Sequence, residues 1–157
     1  MKFLGHVVDG NGIRADPEKI TAVRSMPEPS NISQVRGFLG MANQLAKFMP
    51  DLAEITAPLR DLLRKEAGWH WGDEQQPAFN LIKKRLISPP TLTHYDPNAK
   101  IVLSGDAPSY GLGAVLKQEV NNCLHPVAYA SRSLTATEQR YAQIERGSGS
   151  YVGLRKV

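Results

Sequence analysis

The chain has 157 residues, of which 41% are hydrophobic and 22% charged, a composition ordinary for a globular protein of one domain or two small ones. No apolar run approaches the roughly 18 residues of a membrane-spanning helix, so no membrane partner is expected. The single cysteine, Cys123, excludes an intrachain disulfide and fits an intracellular protein, in the cytoplasm or the nucleus. The net charge of +4 weakly favours a nucleic-acid partner, although many proteins without one carry the same charge.

The N-terminal residues predict a β-hairpin followed by a helix. An apolar run at residues 3–8 precedes Asp9-Gly10-Asn11-Gly12, a strong hairpin turn signal, and Ile13 resumes the second strand. Asp16-Pro17-Glu18 then has the form of a helix start, with Asp as the N-cap and Pro at the first helical position. Pro27 ends this helix, because proline cannot continue it.

A longer amphipathic helix is predicted next. Apolar residues recur every three or four positions between residues 32 and 49, which is the spacing of one helix face. Ser30 and Asn31 are alternative N-caps for this helix. Pro50-Asp51 marks its end and caps another short helix.

Two further helical segments complete the first half of the chain. A short one spans residues 58–65 and a longer one spans about 73–87. Trp69 and Trp71 lie between them. Such a pair packs against neighbouring helices or stacks on nucleic-acid bases, and the sequence leaves both alternatives open. Pro89-Pro90 closes the helical part.

The second half of the chain has the two-residue period of β-strands. Strands are predicted at residues 100–104, 111–118 and 126–132, joined by short turns into an antiparallel meander. Thr135 or Thr137 then opens a final helix. The fold class is therefore α+β, with a hairpin and helices first and a three-stranded sheet with one helix after them.

Asp106 is the one carboxylate at the end of the first of these three strands. An Asp before Ala-Pro often caps a turn by accepting hydrogen bonds from nearby backbone N–H groups. The same position at a strand end also suits a carboxylate that is displayed to a metal ion. The residue pattern alone favours the turn cap.

A series of short motifs, in a fixed order and spacing, resembles the middle of the Pol polyprotein of a gypsy-type long-terminal-repeat retrotransposon. The motifs are Phe3-Leu4-Gly5-His6-Val7, Asp16-Pro17-Glu18-Lys19-Ile20, Arg36-Gly37-Phe38-Leu39-Gly40, Pro58-Leu59, Trp69 to Trp71, Ala78-Phe79, Asp106-Ala107, Ser109 to Leu116, His125 to Arg132, Tyr141 and Glu145. The resemblance implies that residues 1–90 are the end of the reverse transcriptase palm, the thumb and connecting helices. It implies that residues 91–157 are an incomplete ribonuclease H (RNase H)-like domain.

The resemblance also implies a metal chemistry that this chain retains only in part. RNase H catalysis uses two Mg²⁺ ions held by several carboxylates, and Asp106 matches the first of them. The helix ligand falls at Gly147, while Glu145 lies two positions earlier, roughly 200° around a helix. The last acidic residues of the family pattern would fall beyond Val157, and no polymerase carboxylate motif occurs. Asp106 is therefore expected to be a vestigial catalytic residue in a weak, incomplete metal site, and Glu145 is not expected to be a ligand.

Nucleic-acid binding is the activity that the resemblance leaves in place. The thumb of a reverse transcriptase lays a helix along the duplex, and here that helix is residues 31–48. Its exposed polar residues Gln34, Arg36, Gln44 and Lys47 are candidates for contacts to the phosphates of an RNA–DNA hybrid or duplex. The alternative is an ordinary solvated helix face.

Three function classes follow from the sequence. The first is a Pol fragment that is inactive alone and at most binds nucleic acid. The second is an RNase H-type endonuclease that becomes active only when missing segments, such as the remainder of Pol, complete it. The third is a host-adopted protein-interaction module without a nucleic-acid role. Analysis of the flanking reading frame separates the first two classes, and a salt-dependent binding assay separates the third.

Overall fold

The computed structural model describes residues 1–3, 5–106 and 111–145. These ranges contain two antiparallel three-stranded sheets and six α-helices, so the α+β prediction is confirmed. No helix in the described ranges has the length and apolar character needed to cross a membrane.

The first sheet has one strand more than predicted. Its strands are β1 (Lys2–Phe3), β2 (His6–Asp9) and β3 (Gly12–Ala15), paired in that order. The predicted two-residue turn joins β2 to β3. The apolar run before it is not a single strand, because the chain reverses at Gly5, whose φ of 79° is open to glycine.

Both predicted N-caps of the first two helices are present. Asp16 precedes α1 (Pro17–Ser25), and its carboxylate accepts a backbone N–H of the first turn at 3.0 Å. Asn31, rather than Ser30, caps α2 (Ile32–Gln44) in the same way at 2.9 Å. Side-chain acceptors at these positions satisfy donors that the first helical turn leaves free.

The second helix is shorter than predicted. It ends at Gln44, and a 3-10 turn at Ala46–Phe48 follows. The backbone N–H of Phe48 donates to the Leu45 carbonyl at 3.0 Å, the tighter spacing typical of a helix end. This tightening lets Leu45, Phe48 and Met49 all enter the core, where each is at most 2% exposed.

Three shorter helices complete the helical half. They are α3 (Leu52–Ile55), α4 (Ala57–Asp61) and α5 (Gln75–Arg85). Together with α1 and α2 they enclose one apolar core. Its largest fully buried residues include Phe38, Phe48, Leu45, Met49, Leu52, Leu59, Ile82, Leu86 and Leu92.

The second sheet is the predicted meander with longer strands. Its strands β4 (Ile101–Asp106), β5 (Gly111–Val120) and β6 (Cys123–Ser133) pair in chain order. A tight turn at residues 121–122 joins β5 to β6, so Cys123 begins a strand instead of lying in the loop. Helix α6 (Ala136–Glu145) follows.

Residues 86–100, between α5 and β4, form a connecting segment that contacts both sheets. Leu92 exchanges two backbone hydrogen bonds with Ile13 of β3, at 2.8 and 2.9 Å. The next residue, Thr93, donates its backbone N–H to the Pro126 carbonyl of β6 at 2.8 Å. On the other side, Gly111 of β5 lies against Ala53 of α3. The sheet is thus held against the helical half at several points.

Candidate nucleic-acid interface

The exposed face of α2 brings two of the four predicted nucleic-acid-binding residues together. An α-helix turns about 100° per residue, so Arg36 and Gln44 lie roughly 80° apart around the axis. Both side chains are exposed. Gly37 and Gly40 lie on the same face, and a Cβ atom at either position would meet nothing within 4 Å. The face is therefore shallow at Gly40, between a cation on one side and an amide on the other, and Gly37 lies just beyond Gln44, roughly 100° from Arg36.

Gln34 lies on a different side of the helix from Arg36. The two positions are roughly 200° apart, and the Gln34 side-chain oxygen is already engaged. It accepts hydrogen bonds from the backbone N–H and the hydroxyl of Ser30, at 2.8 and 3.2 Å. The Gln34 side chain therefore stabilises the start of α2. Its role in nucleic-acid binding stays a prediction.

Lys47 lies beyond the end of α2, in the 3-10 turn. It is half-buried, with its ammonium nitrogen 5.5 Å from the centre of the Phe48 ring, and burial lowers the pKa of Lys47 below its usual value. His6 packs edge-on against the same ring at 5.5 Å. Burial, and then the charge of Lys47, lower the pKa of His6. Lys47 is thus held near the core instead of extending the row of Arg36 and Gln44.

Trp69 and Trp71 have different surroundings. The Trp71 indole N–H donates to the Gln76 side-chain oxygen at 2.6 Å, and its ring meets Phe79 of α5 edge-on at 5.8 Å. Trp71 therefore packs against a helix, the first alternative. Trp69 stacks on Trp71 at 6.0 Å and is 40% exposed, so stacking of Trp69 on a base stays a prediction.

Strand β4, which carries Asp106, ends beside a groove between α3 and the second sheet. Asp106 closes β4 and pairs with Gly113 of β5. The groove encloses about 230 Å³ and is lined in part by Asp51, Glu54 and Gly113. Sequence patterns did not single out these two acids, because Asp51, the residue before α3, carried only a helix-start signal. One Asp51 oxygen pairs with Arg85 at 2.8 Å.

The described donors do not form a magnesium site. In residues 1–3, 5–106 and 111–145 no group of three His, Cys, Asp or Glu residues is arranged to hold a metal ion. The side chains of Asp106 and Glu145, and the whole of Gly147, lie outside the described parts. No catalytic step is therefore assigned to a metal in this chain.

Comparison with known proteins defines the class. Residues 71–152 match the family described as the RNase H-like domain found in reverse transcriptase. The chain belongs to this family, and the match begins ahead of α5, so it includes the last helix of the helical half as well as the sheet.

The relatives place that domain in a larger polyprotein. The Tf2-3 and Tf2-4 transposon polyproteins of Schizosaccharomyces pombe are each 36% identical to the chain over 143 residues. The alignment covers 90% of this chain but only 11% of either polyprotein. The prediction of an RNase H-like region from a retrotransposon Pol polyprotein is confirmed.

Solved structures share the fold. The foamy viral protease–reverse transcriptase dRH in complex with double-stranded DNA has a TM-score of 0.75 at 22% identity, and covers 89% of this chain and 25% of that one. The foamy viral protease–reverse transcriptase in complex with an RNA/DNA hybrid has a TM-score of 0.74 at 21% identity, with 94% and 21% covered. The similarity extends over both the helical half and the sheet.

Proposed function

We propose that the chain is a segment of a gypsy-type Pol polyprotein. Residues 1–90 would be the end of the palm, the thumb and connecting helices, and residues 91–157 the start of the RNase H-like domain. The order of the motifs supports this division, and relatives aligned over 90% of the chain support the assignment to a Pol polyprotein. An intracellular location belongs to the same proposal.

The function that the geometry supports best is binding of an RNA–DNA hybrid or duplex along α2. The observation that carries it is the α2 face on which Arg36 and Gln44 flank the open Gly40, with the open Gly37 just beyond Gln44. A guanidinium donates to phosphate oxygens in a fixed fork, and an amide adds a neutral donor. Glycines let a sugar–phosphate backbone approach the helix closely. The overall charge of +4 favours the same partner.

Catalysis is proposed to be absent from the isolated chain. Mg²⁺ prefers to keep its water ligands, and a single carboxylate binds it weakly. Asp106 is thus proposed as a vestigial ligand, since the resemblance puts Gly147 at the helix ligand position and Glu145 two positions before it. If the remainder of a Pol polyprotein supplied the missing carboxylates, the completed domain would hold Mg²⁺ and act as an endonuclease, which is the alternative function.

Fluorescence anisotropy with a labelled RNA–DNA hybrid tests the binding proposal. Arg36→Ala should weaken binding severalfold at low salt, because it removes a phosphate contact, and Gln44→Ala should weaken it less. Arg140→Ala removes the same charge from α6 and is the matched control. Equal affinities for Arg36→Ala and Arg140→Ala would refute the assignment of the interface to α2.

A further inference from the structure

His6 of β2 and Lys47 of the 3-10 turn contact the same aromatic ring. The His6 ring packs edge-on against Phe48, with the two ring centres 5.5 Å apart. The Lys47 ammonium nitrogen lies over the Phe48 ring, 5.5 Å from its centre. Phe48 is buried, so the ring is a fixed part of the core. The first sheet and the end of α2 therefore meet at a ring that one cation already occupies.

This arrangement suits a neutral His6 better than a charged one. A proton on His6 would bring a second positive charge to the ring that carries the Lys47 ammonium. Like charges repel more strongly where burial reduces screening by water. Burial, and then the charge of Lys47, lower the pKa of His6 below its ordinary value of 6.5. The second charge therefore arises only as the pH falls below that value.

Lys47 is the partner that can move when His6 becomes charged. His6 lies on the middle strand of the first sheet, and its backbone pairs with β1 on one side and β3 on the other. The Lys47 ammonium ends a flexible four-carbon chain and is only half-buried. An ammonium gains little from a ring face at a partly exposed site. Movement of Lys47 into solvent therefore relieves the repulsion.

The neighbouring charges do not provide another partner for this repulsion. The other charged residues on the first sheet and at the start of α1 are Lys2, Asp9, Arg14, Asp16, Glu18 and Lys19. The first five form ion pairs with one another, and Lys19 lies beside Gly5. Lys47 is the charge that lowers the pKa of His6, so Lys47 is the charge that responds to the proton.

We propose that His6 is a positioning residue that controls Lys47 through its own protonation. Neutral His6 leaves Lys47 on the Phe48 ring, and charged His6 releases it to solvent. Lys47 follows Gln44 by three residues, so the released ammonium can add a phosphate contact to the α2 face. This second step rests on the proposed binding of nucleic acid by α2. The chain would then bind a hybrid more tightly in acid.

An NMR titration without nucleic acid tests the release itself. Above about pH 6.5 the ε-methylene protons of Lys47 should have a ring-current shift from Phe48. This shift should be lost with the same midpoint as the titration of the His6 ring. His6→Phe should abolish the loss, because a phenyl ring takes up no proton. Lys47→Met should raise the pKa of His6, whereas Lys19→Met, which removes an equal charge beside Gly5, should leave it unchanged.

Fluorescence anisotropy at constant ionic strength tests the use of the released Lys47. Between about pH 7.5 and about pH 5, the affinity for an RNA–DNA hybrid should rise severalfold more in the parent than in Lys47→Met or His6→Phe. His70→Gln removes an exposed histidine and is the matched control, which should keep the rise. Circular dichroism verifies that each variant is folded.

The two measurements separate this proposal from the function on which it rests. A Lys47 shift that does not follow the His6 titration, a His6 pKa that Lys47→Met leaves unchanged, or a rise in affinity that persists in Lys47→Met would overturn the proposal. A chain that binds no hybrid at any pH would refute the proposed function of α2, and the NMR titration would still decide whether His6 releases Lys47.

Discussion

The side-chain amide of Gln118 holds the backbone on both sides of residue 95. Its oxygen accepts the Asp96 N–H at 3.0 Å, and its nitrogen donates to the His94 carbonyl. Gln118 is only 2% exposed. The middle strand of the second sheet thus fixes the segment that leads from the helical half into that sheet.

Replacing Gln118 with leucine should lower the free energy of unfolding by about 1–3 kcal/mol, because hydrogen bonds to a buried amide are lost and their backbone partners stay behind. Urea denaturation measures the change. Gln44→Leu alters an exposed amide on α2 in the same way, and should change stability by less than about 0.5 kcal/mol. Equal effects of the two variants would show that the Gln118 contacts do not stabilise the fold.

Gly12 is required where the first hairpin meets the connecting segment. Its φ is 129°, and a Cβ atom there would collide with the Leu92 carbonyl oxygen. Gly12→Ala should therefore destabilise the protein by more than about 1 kcal/mol. Gly10→Ala, where a Cβ atom meets nothing within 4 Å, is the control for thermal unfolding. The explanation would be wrong if both alanine variants had the same melting temperature as the parent protein.

The contacts at the start of α6 should make the stability of the protein depend on pH in the acid range. Arg132 donates two hydrogen bonds to the Glu138 carboxylate and the Thr135 N–H donates a third, at 2.7–3.0 Å. Arg132 first, and then Thr135, lower the pKa of Glu138 from 4.5 to about 2. Because the folded pKa lies below the unfolded one, this contribution to stability is present above about pH 4.5 and is lost as the pH falls towards 2.

An NMR titration of the Glu138 side chain measures this pKa directly. Glu138→Gln should remove the corresponding slope of stability against pH between about 4.5 and 2, with Glu66→Gln as a control on another surface carboxylate. A Glu138 side chain that titrates at its ordinary pKa would contradict the contacts at the start of α6.

The isolated chain should not cleave an RNA–DNA hybrid in Mg²⁺ or Mn²⁺. The reason is the proposed loss of the helix carboxylate at Gly147, because a two-metal site needs several carboxylates. Asp106→Asn should consequently leave the result of a gel-based cleavage assay unchanged. Cleavage by the parent chain that Asp106→Asn abolishes would show instead that the site is functional. Primer extension by the purified chain would likewise contradict the prediction that it has no polymerase activity.

Local signals explain what the sequence predicted well. The predicted hairpin turn after Asp9 and the predicted helix starts at Asp16, at Ser30 or Asn31, and at Thr135 or Thr137 depend on residues within a few positions. The turn is present, and the helices are capped by Asp16, Asn31 and Thr135. The strand predictions for the second half depend only on the alternation of apolar and polar residues, and they also gave the correct meander.

Long-range contacts explain the rest. Gln118 looked like any polar strand residue, because its partners lie more than twenty positions earlier. The end of α2 was placed too late because the apolar period continues through the 3-10 turn. Gln34 was grouped with Arg36 on polarity alone, whereas helical geometry and its contacts to Ser30 separate them.

The dependence of hybrid affinity on salt tests the central claim most directly. If α2 binds phosphates, the logarithm of the association constant should fall steeply and linearly with the logarithm of salt concentration, and Arg36→Ala should reduce the slope by about one. A flat response, or no binding at low salt, would contradict nucleic-acid binding by this chain.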